Sequence, residues 1–121
     1  MKFAAFGIIK SGTSTLEAGY LQLPFIVVYS TNILTYWLGK KVVKINNIAM
    51  ANIILNENVV DELIQADVNS ANIYARCSKI LKDKELYNYI KLRLGKIKEK
   101  LGGAGASKKA ALLIYNLLNE A

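Results

Sequence analysis

The amino-terminal stretch limits the fold more than any other part of the chain. Residues 3–9 are a mainly apolar run that breaks at Ser11-Gly12. An amphipathic stretch follows, Pro24 interrupts it, and Phe25-Ile26-Val27-Val28-Tyr29 is a second apolar run of β-branched and aromatic residues. This order predicts a buried strand over 3–9, a helix over 13–22 with Leu16, Tyr20 and Leu23 at helical spacing, a stop at Pro24, and a second buried strand over 25–29. Strand, glycine turn, helix and strand make a βαβ unit, whose strands run parallel through a right-handed crossover.

The turn itself has a chemical character. A helix N-terminus presents unpaired backbone N–H groups and the positive end of the helix dipole, which suits a phosphate. Gly12 lets the backbone come close to such a group, and the hydroxyls of Thr13, Ser14 and Thr15 crowd the first turn. Glu17 follows one turn on, where a carboxylate can accept hydrogen bonds from sugar hydroxyls. These residues point to a phosphorylated sugar or nucleotide. They also fit a plain helix cap with an early acidic residue complementing the dipole, and the local pattern leaves both readings open.

Beyond residue 31 the chain reads as helical. A helix is expected over 32–43, with Ile33, Tyr36, Trp37 and Val43 near one side and Lys40, Lys41 and Lys44 at its end. Residues 45–58 read as an irregular crossing with a short helix near Ala51, and residues 59–65 as another short helix. Asn69 or Ser70 caps a helix burying Ile73, Cys77, Ile80 and Leu81. Asp83 caps a longer one, to Leu101, striped by Leu86, Ile90, Leu94, Ile97 and Leu101. Gly102-Gly103-Ala104-Gly105 ends it, and Ser107 caps a last helix carrying Ala111, Ile114, Leu117 and Leu118. Two parallel strands do not make a self-sufficient sheet, because each leaves an unpaired edge. The expected class is therefore α/β, helix-rich with about two parallel strands, as the end of a larger doubly wound domain.

Composition narrows the chemistry. The chain has no histidine and one cysteine, Cys77, which excludes Ser-His, Cys-His and His-metal sites within it, and any internal disulfide. The longest uninterrupted apolar run, 23–29, is far too short to span a bilayer. The opening residues read as a strand and not as a secretion signal, since Lys10 interrupts the run and no cleavage site follows. The net charge of +7 is uneven: residues 76–109 carry eleven Lys or Arg against three Asp or Glu, and the remainder five against six. Such a surface suits an anionic membrane, an acidic substrate or plain solvation. Without arginine clusters interleaved with aromatics it does not read as a nucleic-acid site.

Longer motifs carry a resemblance. Ser11-Gly12-Thr13-Ser14-Thr15-Leu16-Glu17-Ala18 resembles the SGTATLEA segment of the lipid-A-disaccharide synthase family. Leu23-Pro24-Phe25-Ile26-Val27-Val28-Tyr29 is similar to its KPMVVAY strand, Leu34-Thr35-Tyr36-Trp37-Leu38 to its LTYWLA helix, and Val42-Val43-Lys44 to its LVKV. Ala51-Asn52-Ile53-Ile54 resembles PNLLA, Val59-Val60-Asp61-Glu62-Leu63-Ile64-Gln65 resembles VVPELLQ, and Gly102-Gly103-Ala104-Gly105-Ala106-Ser107 resembles LGGPGAS. The chain lacks the family's proline before Asn52 and before Glu62.

The resemblance implies a B-type glycosyltransferase of two facing Rossmann-like domains. Such an enzyme transfers 2,3-diacylglucosamine, with inversion, from its UDP donor to 2,3-diacylglucosamine 1-phosphate. It implies that residues 1–121 are a partial donor domain with C-terminal helices, and that the acceptor domain and its acidic catalytic residue have no counterpart here. Donor binding would fall to Gly12, Thr13, Ser14 and Thr15 at the diphosphate and Glu17 at the ribose, with Asn52, Glu62 and Gln65 lining the cleft. No catalytic residue, metal or cofactor is assigned within the chain. The expected setting is the cytoplasmic side of the inner membrane, held peripherally, with a complementing N-terminal chain or a homodimer as partner. On this reading the chain alone is an inactive split or truncated piece. The alternative is a non-catalytic basic helical module that binds an anionic membrane or a partner protein.

Overall fold

The computed structural model describes residues 1–31, 47–102 and 105–120. Three parallel strands form the sheet: β1 (Gly7–Lys10), β2 (Phe25–Tyr29) and β3 (Glu62–Ile64), in the order β1-β2-β3. Gly7 pairs with Phe25 and Lys10 with Val28; Val27 pairs with Glu62 and Tyr29 with Ile64. The helices are α1 (Thr13–Tyr20), α2 (Met50–Leu55), α3 (Ser70–Lys82), α4 (Lys84–Leu101) and α5 (Ala106–Glu120). A helix-rich chain on a small open parallel sheet is an incomplete Rossmann-like α/β arrangement, as expected, with three strands among the described residues where two were read.

The first strand is shorter than the apolar run that announced it. Pairing begins where Gly7 N–H donates to Pro24 C=O at 3.0 Å. Before it, Ala4 N–H turns back to Met1 C=O, and Phe3 is fully exposed. β1 is also an edge strand and not a buried one: Ile9 is buried, but Ile8 is 54% exposed.

β3 corrects the reading of 59–65 as a helix. Val59, Val60 and Leu63 are buried, and β2 offers a free edge that this segment satisfies, Val27 N–H donating to Asp61 C=O at 2.8 Å. Pairing with β2 decides the conformation over local propensity. A left-handed Gln65 (φ 53°) then turns the chain into a 3-10 turn, Gln65–Asp67.

α1 ends before Pro24 can stop it. Gln22 is left-handed (φ 56°); its N–H donates to Gly19 C=O and that of Leu23 to Ala18 C=O, both at 3.0 Å, which is a Schellman closure. The buried face of α1 is Thr15, Ala18 and Gly19, not the Leu16–Tyr20 stripe: Leu16 is half-buried and Tyr20 exposed. Small residues line that face because α4 lies across it, with Leu94 and Ile97 fully buried.

α4 packs on α1 and α2, and α3 on α4 and β2. Both expected caps are present: Asn69 Oδ1 accepts from Asn72 N–H and Asp83 Oδ1 from Leu86 N–H, each at 2.9 Å. Ile80, Ile90, Leu94 and Ile97 are buried with Phe25, Ile26 and Val27 in one core, but Leu81 and Leu101 remain largely exposed. In the turn after α2, the Glu57 carboxylate accepts from the Arg93 guanidinium and, at 2.9 Å, from the Tyr89 hydroxyl. Those two hydrogen bonds, Arg93's first, hold the Glu57 carboxyl below the usual carboxylate range, and the same pairing raises the Tyr89 phenol and the Arg93 guanidinium.

α5 starts at Ala106, so Ser107 lies inside it and not at its cap. Its apolar residues, among them Leu112, Leu113, Ile114, Leu117 and Leu118, are all exposed. The helix expected over 32–43 lies outside the described residues. Among the described residues no helix is long and apolar enough to cross a membrane.

Candidate anion-binding site

Gly12 sits between β1 and α1 with φ 150° and ψ −165°, a conformation that penalises any side chain, and nothing lies within 4 Å of where a β-carbon would stand. No side chain caps α1 and its first turn holds no acidic residue, so the positive helix end is neither capped nor neutralised. Gly12 and Thr13 are exposed. The loop opens onto a hollow of about 510 Å³ lined by Thr13, Ser14, Leu16, Glu17, Tyr20 and Leu101. Its lining sets Thr13 and Ser14 beside the apolar side chains of Leu16, Tyr20 and Leu101, with Glu17 among them. Lys98 Nζ stands 5.0 Å from the centroid of the Tyr20 ring, a cation–π contact at the rim.

Among the hydroxyls expected at a phosphate, those of Ser14 and Thr15 separate. Ser14 lines the hollow, while its Oγ makes one long contact, 3.4 Å, to Lys10 C=O. Thr15 is 0% exposed and faces inward. Its Oγ1 donates to Gly12 C=O at 2.7 Å and accepts from Met50 N–H at 3.1 Å. Ser11, absent from the expected set, makes a second strut by donating to Ile48 C=O at 3.0 Å.

Asn52 and Glu62 lie behind the loop. Asn52 is 0% exposed, and every polar valence of its amide is used. Nδ2 donates to Val60 C=O and to Glu62 Oε1, both at 2.9 Å, and Oδ1 accepts from Val59 and Val60 N–H at 2.9 and 3.0 Å. Glu62 accepts from Ile48 N–H at 2.8 Å on Oε2 and from Ala49 N–H at 3.0 Å on Oε1, at the N-terminus of α2. Gln65 follows β3. Its Oε1 accepts from Thr31 N–H at 3.1 Å and from Ser30 Oγ at 3.4 Å, and its Nε2 is buried without an acceptor among the described residues. The Gly12 loop and Gln65 therefore both lie at the carboxyl edge of the parallel sheet, where open α/β sheets bind ligands. None of Asn52, Glu62 and Gln65 lines the hollow beside α1. Among the described residues no group of three His, Cys, Asp or Glu is placed to hold a metal ion.

The family model described as lipid-A-disaccharide synthetase matches residues 1–115. The chain belongs to the lipid-A-disaccharide synthase family. The lipid-A-disaccharide synthase of Sulfurihydrogenibium sp. (strain YO3AOP1) is 43% identical over 120 residues, covering 99% of this chain and 31% of the relative. That of Nitrosococcus oceani is 40% identical over 111 residues, covering 92% of this chain and 28% of the relative. The chain thus spans less than a third of the length of these lipid-A-disaccharide synthases. In this family member the uncapped loop and Glu17 share one hollow, whereas Asn52 and Glu62 are joined to the loop through the backbone of residues 48–50.

Proposed function

We propose that this chain holds the nucleotide of the sugar donor in a lipid A glycosyltransferase. That enzyme moves 2,3-diacylglucosamine, with inversion, from UDP to 2,3-diacylglucosamine 1-phosphate and releases UDP. The observation that carries this reading is the uncapped N-terminus of α1 opening on a hollow with Glu17 in its wall. The diphosphate takes the N–H groups around Gly12 and Thr13 and the Ser14 hydroxyl; Glu17 accepts from the ribose hydroxyls; Gln65 stands at the same sheet edge. Backbone N–H groups and the helix dipole stabilise the departing UDP without a metal.

No residue of the chain is assigned as the base on the acceptor hydroxyl, so residues 1–121 serve as part of a donor domain and do not turn over alone. An acceptor-binding part, in the same polypeptide or in a partner, completes the enzyme. The excess of basic residues over 76–109 suits attachment to an anionic inner-membrane surface on the cytoplasmic side.

UDP titration of the purified chain, followed by calorimetry or amide NMR shifts, tests this. Saturable binding that Glu17→Ala weakens about tenfold, the loss of one charge-assisted hydrogen-bonding group, supports it. Charge-dependent binding to anionic vesicles with no affinity for UDP would instead establish the basic-module reading.

A further inference from the structure

We infer that Glu62 is a positioning residue for the anion-binding loop, acting through the backbone of residues 48–50 and not by touching the ligand; this rests on the nucleotide reading of the Gly12 site. The connection is continuous. The Glu62 carboxylate accepts the N–H groups of Ile48 (2.8 Å) and Ala49 (3.0 Å). The Ile48 carbonyl accepts from Ser11 Oγ at 3.0 Å, immediately before Gly12. Met50 N–H donates to Thr15 Oγ1 at 3.1 Å, and Thr15 Oγ1 donates to the Gly12 carbonyl at 2.7 Å. Two struts, one from each side of Gly12, thus end on the three residues that Glu62 and α2 hold.

The carboxylate is suited to this work because it only accepts. It takes three donors, the third being Asn52 Nδ2 at 2.9 Å, and no Lys or Arg forms an ion pair with it among the described residues. The donors are fixed in turn. Asn52 is fully buried and locked to the 59–60 turn, and Ala49 and Ala51 are fully buried. An amide in place of the carboxylate must point its NH2 at one of these donors whichever way it is turned. Glu62→Gln therefore keeps the volume and breaks the anchor. The Gly12 carbonyl keeps its helical bond from Thr15 N–H at 3.1 Å, but with the 48–50 backbone released the two struts no longer fix the loop, so the following N–H groups are less well preformed as a cradle and the loss falls on phosphate binding.

The test compares wild type, Glu62→Gln, Thr15→Val and the double variant for UDP and for uridine, with amide hydrogen exchange at Met50 as a ligand-free readout. The expected result is about tenfold weaker UDP binding in each single variant, the scale of one lost buried hydrogen bond. Uridine affinity is unchanged, Met50 exchanges faster, and the double variant is no weaker than the weaker single, because both act through one loop. If Glu62→Gln does not fold, Thr15→Val, which removes the hydroxyl at equal size, carries the same comparison. Unchanged UDP affinity, or equal losses for UDP and uridine, overturns the positioning role while leaving the nucleotide site standing. A folded wild-type chain with no UDP affinity overturns the site and this role together.

Discussion

Gly19 of α1 and Ile97 of α4 meet with no room between them: a β-carbon on residue 19 would lie 2.5 Å from Ile97 Cδ1. Ala51 Cβ and Leu94 Cδ2 close the same spot at 3.5 and 3.7 Å, and Leu94 and Ile97 are fully buried. Gly19→Ala gains about 1 kcal/mol of helix propensity but overpacks a core at a cost of about 1–3 kcal/mol. The expected outcome is a net destabilisation of about 1 kcal/mol in urea unfolding. Ile97→Val removes the clashing methyl, so the double variant should be more stable than the sum of the two singles predicts, by at least about 0.5 kcal/mol.

Acid should weaken the junction between α2 and α4. The hydrogen bonds from Arg93 and then Tyr89 depress the Glu57 carboxyl. A depressed folded-state value means that the contribution is complete where the carboxylate is ionised in both states and fades as pH falls below about 4.3, the value for an unfolded glutamate. The difference in Tm between wild type and Glu57→Gln should therefore be positive near neutral pH and shrink as the pH falls below the unfolded value toward the depressed folded one. A gap that stays constant as the pH is lowered through the carboxylate range would show that the pair contributes nothing through ionisation.

Gly12→Ala isolates backbone strain from packing, because nothing stands within 4 Å of the added methyl. Holding alanine at φ 150° costs about 1–3 kcal/mol. The chain escapes that cost by rotating the loop. Tm should fall by several degrees, and inorganic phosphate and UDP should both bind more weakly, while uridine is unaffected. Retention of full UDP affinity would place the phosphate elsewhere.

Removing residues 106–121 should leave the remainder as stable as before, within about 0.5 kcal/mol, since every described side chain of α5 up to Asn119 is exposed and none joins the core. Chemical denaturation of the two lengths checks this. The shorter chain should also be less prone to self-association at high concentration, having lost Leu112, Leu113, Leu117 and Leu118 from its surface.

What the sequence disclosed was local. The βαβ unit and the caps at Asn69 and Asp83 rest on neighbours a few residues apart, and all are present. The glycine turn at Gly12 and the helix start at Thr13 are legible in the local pattern, and the fold gathers Thr13, Ser14 and Glu17 round one hollow. The features that escaped depend on distant partners. Residues 62–64 become a strand only because the edge of β2 is waiting for them, and Phe3 is left bare, with no strand of the described residues pairing with it. The inward turn of Thr15 follows from the amide of Met50, and the apolar wall of the hollow from Leu101. Backbone N–H groups, which hold Glu62, have no signature in side-chain patterns.

The covering of α1 by α4 also bears on synthesis at the ribosome. Ala18 and Gly19 find their lid in Leu94 and Ile97, far downstream. Until α4 has been made, the face of α1 that carries Ala18 and Gly19 lacks this lid. Closure of that face must wait for the second half of α4, which makes it a long-range step in folding.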